Sequence, residues 1–214
     1  MQLFESLKLW LKRTLMGFVG ALALESLACL LVIAVAAGAG DDGISGDKAR
    51  LVAFSLLAIA VCAVVELIFN IAIVVLFLRL LYKAVQRARG FTPSFTYVSP
   101  GWAVGYWFIP LMNLYRPFQV IQAWFKACAE QAGGKPAAGE QLLSAWWGMF
   151  LISNIAGWIV AKQDTDMDTV QGIMTYAEYT LGSNLLFIVA SVLFWLVIQR
   201  MVTALAASPA PAQG

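Results

Sequence analysis

Residues 51–78 read LVAFSLLAIAVCAVVELIFNIAIVVLFL, and Glu66 is the only charged side chain among them. An α-helix needs about 20 mostly apolar residues to cross the hydrocarbon core of a bilayer. This stretch is therefore long enough to span a membrane with some tilt. Three further stretches meet the same criterion, at residues 15–39, 142–161 and 173–198. The sequence therefore predicts four transmembrane helices.

The composition of the 214-residue chain agrees with this interpretation. Hydrophobic residues make up 61% of the chain and charged residues 12%, with a mean hydropathy of +0.80. A soluble domain carries about 25% charged residues, and the net charge of +2 is too small to indicate nucleic acid. We therefore expect an all-α integral membrane protein, and exclude a soluble enzyme, a disordered chain and a nucleic-acid binder.

Residue types that carry much of enzyme chemistry are missing. The chain has no histidine, which removes the commonest general base and metal ligand. Its three cysteines, Cys29, Cys62 and Cys128, are far apart and supply no zinc or iron–sulfur ligand set. No phosphate-binding or nucleophile motif occurs. We therefore expect no catalytic residue, metal or cofactor, and not an enzyme.

The N-terminal residues 2–13 alternate in the manner of an amphipathic helix, which predicts a separate interfacial helix. Basic residues followed by an apolar run are also typical of a secretory signal. A signal core is only about 7–15 residues long, whereas residues 15–39 are longer and contain Glu25. We therefore expect residues 15–39 to be retained as a transmembrane helix. The predicted apolar face of residues 2–13 comprises Leu3, Leu7, Trp10 and Leu11.

A fifth apolar stretch, at residues 100–125, is interrupted by Pro110 and Pro117. Proline inside a helix removes a backbone hydrogen bond and clashes with the preceding turn. A helix from Trp102 to Ile109 would span only about 12 Å. After Pro117 the pattern becomes amphipathic, with Phe118, Ile121 and Phe125 opposite Gln119, Gln122 and Lys126. The sequence predicts a Pro-broken re-entrant or interfacial element.

The positions of the basic residues favour an element that does not cross the membrane. Cytoplasmic loops carry an excess of Lys and Arg. With Arg116 of the broken element left uncounted, ten basic residues lie inside and three outside if the element does not cross, and the split is eight to five if it does. We expect both termini in the cytoplasm, one membrane domain over residues 1–207 and a disordered tail at 208–214. The ten are Lys8, Lys12, Arg13, Arg79, Lys83, Arg87, Arg89, Lys126, Lys135 and Arg200; the three are Lys48, Arg50 and Lys162.

Several polar residues fall near the predicted midplane, where a charged side chain costs about 2.5–3.5 kcal/mol. With two residues of the broken element they form a candidate polar cluster, in which Arg116 would pair with a carboxylate. One interpretation is a site for a proton, a cation or a small polar ligand. The other is that these groups only join helices by hydrogen bonds. The candidates are Glu25, Glu66, Asn70, Asn113, Arg116, Asn154 and Asn184.

The aromatic residues and the basic residues after the second span each allow two interpretations. The aromatic clusters predict either a stacking platform for a ligand or an interfacial belt. The basic residues after the second span either bind anionic lipid or only set orientation. The aromatic residues are Trp102, Tyr106, Trp107 and Phe108, with Trp146 and Trp147; the basic residues are Arg79, Lys83, Arg87 and Arg89.

The run SPGWAVGYWFIP at residues 99–110, then NLYRPFQ at 113–119 and Trp124, resembles the hallmark of a bacterial membrane family, domain of unknown function 4328. The pair at 146–147 and the Ser-Asn at 153–154 add to a resemblance over about residues 50–200. Tyr106 and Cys128 replace a tryptophan and a serine that the family often shows. The resemblance implies a multi-pass protein of the bacterial inner membrane with no known activity. It makes the Pro-rich element distinctive, at Pro100, Gly101, Trp102, Gly105, Pro110 and Pro117.

These observations predict a binding, assembly or regulatory component of the membrane. The alternative is a small transporter or channel component that uses the midplane Glu and Asn residues. Expected partners are the bilayer, anionic lipid, and a second copy or another membrane protein, but no nucleic acid. The site is expected where the broken element meets the spans, with Gly101, Gly105, Pro110, Asn113 and Arg116 near Glu66 and Asn154.

Overall fold

A computed structural model of the chain describes residues 2–38, 44–91, 95, 98–131, 139–167 and 169–207. In these residues the regular structure is helical. A 3₁₀ turn at Tyr106–Phe108 accompanies the α-helices, which are α1 (Gln2–Ala37), α2 (Gly46–Phe91), α3 (Pro100–Gly105), α4 (Pro110–Asn113), α5 (Arg116–Gln131), α6 (Gly139–Lys162) and α7 (Val170–Ala207).

Helices α1, α2, α6 and α7 are each long and apolar enough to cross a membrane. They contain the predicted spans, except that the first span was predicted to reach residue 39, beyond the end of α1 at Ala37. Only 11% of the most hydrophobic 18-residue stretch of α2 is buried within the protein. The exposed surface of this helix is therefore largely apolar. The predicted all-α membrane fold is confirmed.

The prediction of a separate interfacial helix at residues 2–13 is wrong, because these residues are the first part of α1. No glycine or proline precedes Gly17 to interrupt the helix. Phe4, Leu7 and Leu11 are buried at helical spacing. Of the predicted apolar face, Leu3 and Trp10 are instead exposed. The buried face of this segment therefore packs against protein.

The Pro-rich element is broken in the structure as predicted. Ser99 caps α3, its Oγ accepting a hydrogen bond from the backbone N–H of Trp102 at 3.2 Å. The backbone then becomes extended at Ile109, with φ −100° and ψ 111°. This conformation is the one that a following proline favours, and Pro110 starts the next short helix. The longest helix of the element, α5, has 16 residues.

The chain divides into two compact units. Unit 1 comprises residues 1–14, 72–148 and 192–214, and unit 2 comprises residues 15–71 and 149–191. The broken element belongs to unit 1, together with the end of α2 that precedes it and the start of α6 that follows it. A re-entrant or interfacial element must lie beside the two helix ends that flank it, and membership of one unit meets this requirement.

Charge is distributed unequally between the two units. The described residues of unit 1 include ten Lys or Arg and three acidic residues, whereas those of unit 2 include three Lys or Arg and six acidic residues. The basic residues of unit 1 are Lys8, Lys12, Arg13, Arg79, Lys83, Arg87, Arg89, Arg116, Lys126 and Arg200; those of unit 2 are Lys48, Arg50 and Lys162.

Unit 1 has an aromatic core. The Phe77 ring contacts Trp107, Trp146 and Phe194, and Trp146 also contacts Phe194. Trp147 contacts Trp107 and Trp146. The ring centroids are 5.1–6.2 Å apart and the rings are mostly edge to face. The two aromatic clusters of the sequence are therefore joined through Trp107. By contrast, Trp102 and Phe108 are exposed.

Unit 2 has a core of small and β-branched residues, Cys29, Val32, Ile59 and Ala177. One close approach in this unit requires glycine. A Cβ at Gly172, in the first turn of α7, would collide with the backbone carbonyl of Asp166. The prediction of a single domain at 1–207 stays a prediction, and the predicted tail at 208–214 lies outside the described residues.

Candidate functional site

A buried hydrogen bond joins α1 to α7 in unit 2. The amide Nδ2 of Asn184 donates to Oε2 of Glu25 at 2.8 Å. Glu25 is 4% exposed and Asn184 5% exposed, so water does not compete for this bond. The sequence placed both residues near the midplane of their spans. It contained no signal for this pairing, because the partners are 159 residues apart.

Glu66, on α2, brings a second carboxyl group to the same place. Its carboxyl group is close enough to that of Glu25 for the two to interact electrostatically. Its Oε1 is shielded from solvent, and no donor among the described residues reaches it. Two carboxyl groups this close together and shielded from solvent would repel each other if both were ionised.

Glu25, Glu66 and Asn184, called here the carboxyl cluster, connect α1, α2 and α7. The other unit 2 candidates lie apart from these contacts. Asn154 is exposed, and its Nδ2 donates to the Phe150 carbonyl of its own helix at 2.7 Å. Asn70 is exposed on α2.

Asn113 and Arg116 belong to unit 1. Arg116 is exposed; its Nη1 donates to Oε1 of Gln119 at 3.3 Å, and its guanidinium lies over the rings of Tyr106 and Tyr115. Asn113 is half-buried, and its Oδ1 has no hydrogen-bond partner among the described residues. The predicted meeting of this element with Glu66 and Asn154 stays a prediction.

The family-motif residues have clear local roles. Pro100 opens α3 and Pro110 opens α4, positions where a missing backbone N–H costs nothing. Pro117 is buried in the first turn of α5. Gly101 and Trp102 are exposed, and Gly105 faces the Trp102 ring at ordinary contact distance. These residues shape the broken element.

Two tryptophan hydrogen bonds, which the sequence did not predict, anchor this element within unit 1. Trp124 is fully buried on α5, and its Nε1 donates to the Ala84 carbonyl of α2 at 3.1 Å. Trp147, on α6, donates from Nε1 to the Leu114 carbonyl at 3.2 Å, at the turn between α4 and α5. Tryptophans in the motif were the only sequence signal, since their carbonyl acceptors can be any residue.

The predicted lipid-binding residues of α2 differ in exposure. Arg79 and Arg89 are exposed, whereas Lys83 and Arg87 are half-buried. Lys83 donates to Oε1 of Gln86 at 3.2 Å, and Arg87 lies 5.9 Å from the centre of the Phe4 ring. Arg79 and Arg89 are therefore the more accessible of the four to a lipid phosphate.

Among the described residues, no set of three or more Cys, Asp or Glu side chains is close enough to hold a metal ion. None of the three cysteines forms a disulfide.

The chain was compared with known proteins. No curated protein and no solved structure matches it. The sequence model of one family, described as domain of unknown function (DUF4328), matches residues 44–203. The matched region contains the broken element, both tryptophan anchors, Glu66 and Asn184, while Glu25 precedes it. The chain therefore belongs to the domain of unknown function 4328 family, as its Pro-rich motif indicated.

Proposed function

We propose that the protein is a non-catalytic membrane component that binds a proton at the carboxyl cluster and responds to its loss or gain. The observation that carries this proposal is the buried Glu25 carboxyl, held by Asn184, with the shielded and unpartnered Oε1 of Glu66 on a carboxyl group that interacts with it. Ionisable residues inside a membrane usually face a partner or a cavity and mark a functional site.

Proton binding at this cluster has a structural consequence. Two negative charges in contact away from water repel strongly, whereas one shared proton turns repulsion into a hydrogen bond. The two carboxyl groups are on α1 and α2, and Asn184 holds the first of them from α7. Release of the proton therefore weakens the association of α1 with α2. This is the physical basis for a regulatory role.

Infrared difference spectroscopy of the protein in liposomes tests the proposal. We expect the C=O stretching band of a protonated carboxyl group that disappears on alkalinisation and is absent in Glu25→Gln and in Glu66→Gln. Glu178→Gln is the matched control, because Glu178 is an exposed glutamate of the same unit. A band that persists in both cluster variants, or that is lost only in the control, would contradict proton binding here.

Transport is the alternative function, and the same variants distinguish it. Proteoliposomes that carry a pH-dependent flux, lost in Glu66→Gln but not in Glu178→Gln, would identify a transporter or channel component. Proton binding without flux under any imposed gradient would support a regulatory component.

The proposal extends to location and partners. We place the protein in the bacterial inner membrane with both termini in the cytoplasm; the excess of basic residues in unit 1 supports this orientation through the positive-inside rule. The bilayer is its first partner. Anionic lipid would contact Arg79 and Arg89 most readily, with Lys83 and Arg87 nearby. A second copy or another membrane protein is the further partner proposed, and nucleic acid is not.

A further inference from the structure

An open cavity of about 490 Å³ in unit 1 lies between the start of α6 and the end of α7. Gln141, Leu196 and Arg200 of its lining are exposed, so that the cavity opens on the surface of the protein. The lining residues are Gln141, Leu142, Leu196, Gln199 and Arg200. They belong neither to the carboxyl cluster nor to the basic residues of α2.

The lining changes from apolar to polar at the ends of two predicted spans. The apolar stretch of α6 begins at Leu142, directly after Gln141, and that of α7 ends at Ile198, directly before Gln199 and Arg200. On the predicted spans, this is the depth at which lipid head groups meet acyl chains. Its two leucines suit the acyl side, and its amides and guanidinium suit the head group.

Arg200 is the only charged residue of the lining. No carboxylate among the described residues forms an ion pair with it, and Glu140, next to Gln141, does not line the cavity. Arg binds phosphate through two parallel N–H donors. Gln141 and Leu142 also lie in the first turn of α6, at the positive end of its helix dipole.

We propose that this cavity binds the phosphate of an anionic phospholipid, with Arg200 on the phosphate, the amides of Gln141 and Gln199 on the polar head group, and Leu142 and Leu196 against the acyl chains. Leucine side chains do not contribute to the binding of a free phosphate, whereas they can pack against acyl chains. The amphiphilic lining therefore favours the lipid. This inference is independent of the proposed function.

Native mass spectrometry of the full chain tests the proposal with phosphatidylglycerol and phosphatidylcholine of identical acyl chains. We expect the wild type to retain phosphatidylglycerol in preference to phosphatidylcholine, and Arg200→Gln to retain about fivefold less phosphatidylglycerol. Lys126→Gln is the matched control, since Lys126 is an exposed basic residue of unit 1 outside the lining. Leu196→Trp fills the cavity at unchanged charge and is expected to lower retention as well, which keeps the test valid if Arg200→Gln does not fold.

Three results would overturn the proposal. Equal retention of the two lipids by the wild type would remove the role of the anionic head group. Unchanged retention in folded Arg200→Gln and in Leu196→Trp would place the lipid elsewhere. Displacement of phosphatidylglycerol by an equal concentration of glycerol phosphate or inorganic phosphate would identify a free phosphate as the ligand.

Discussion

From the hydrogen bond between Asn184 and Glu25 we predict that substitutions of the two residues have coupled effects on the free energy of unfolding. Asn184→Leu leaves the buried Glu25 carboxyl without its amide donor, and Glu25→Met leaves the Asn184 amide without its acceptor. A buried polar group that loses its partner carries a cost which the double variant avoids, because neither group is then present. The two substitutions should therefore cost less together than the sum of their separate effects.

The expected coupling energy follows from the length and the burial of this hydrogen bond. Hydrogen bonds between membrane helices average about 0.6 kcal/mol and reach about 1.7 kcal/mol, whereas bonds to charged groups contribute about 1.5–3 kcal/mol. The bond here is 2.8 Å long and both residues are at least 95% buried. A coupling near the upper membrane value, about 1.5 kcal/mol, is expected, which is about tenfold in the unfolding equilibrium constant.

Reversible unfolding in bicelles of the wild type, both single variants and the double variant measures this coupling. Asn154→Leu, combined with Glu25→Met, is the control, because Asn154 donates to its own helix. The control pair should be additive within about 0.5 kcal/mol. Additivity of the Glu25 and Asn184 changes, or a control coupling of the same size, would refute the reasoning.

The other predictions concern the anchors and the topology. Trp124→Phe should lower stability by roughly 1–2 kcal/mol, because it keeps a ring but loses the Nε1 hydrogen bond; near-wild-type unfolding would argue against that bond. Gly172→Ala should destabilise by about 1–3 kcal/mol through collision with backbone, whereas Gly182→Ala, with open space around it, should stabilise by about 0.5–1 kcal/mol; equal effects in thermal unfolding would contradict this. Cysteines introduced at exposed positions within 79–91 and 126–131 should label from the same side of the membrane in a cysteine-free background, and labelling from opposite sides would exclude the re-entrant or interfacial element.

Much of the fold follows from local sequence. Twenty or more consecutive apolar residues have few alternatives to a membrane helix, since backbone groups in lipid must be satisfied within the segment. Pro110 and Pro117 likewise predict the break, because the absence of an N–H is a local property. The N-terminal helix was misjudged because an amphipathic pattern does not say whether its apolar face meets lipid or protein. Phe4 and Leu7 show that it meets protein.

The candidate site, like the fold, could be predicted from the sequence only in part. The sequence by itself determined which helices carry costly polar side chains, because the cost of Glu25 and Glu66 in a membrane follows from their neighbours along the chain. Only the tertiary structure decided that Glu25 meets Glu66 and Asn184, while Asn154 bonds to its own helix. Helical periodicity fixes the face on which a side chain lies, but rotation and vertical register between helices depend on packing over the whole interface.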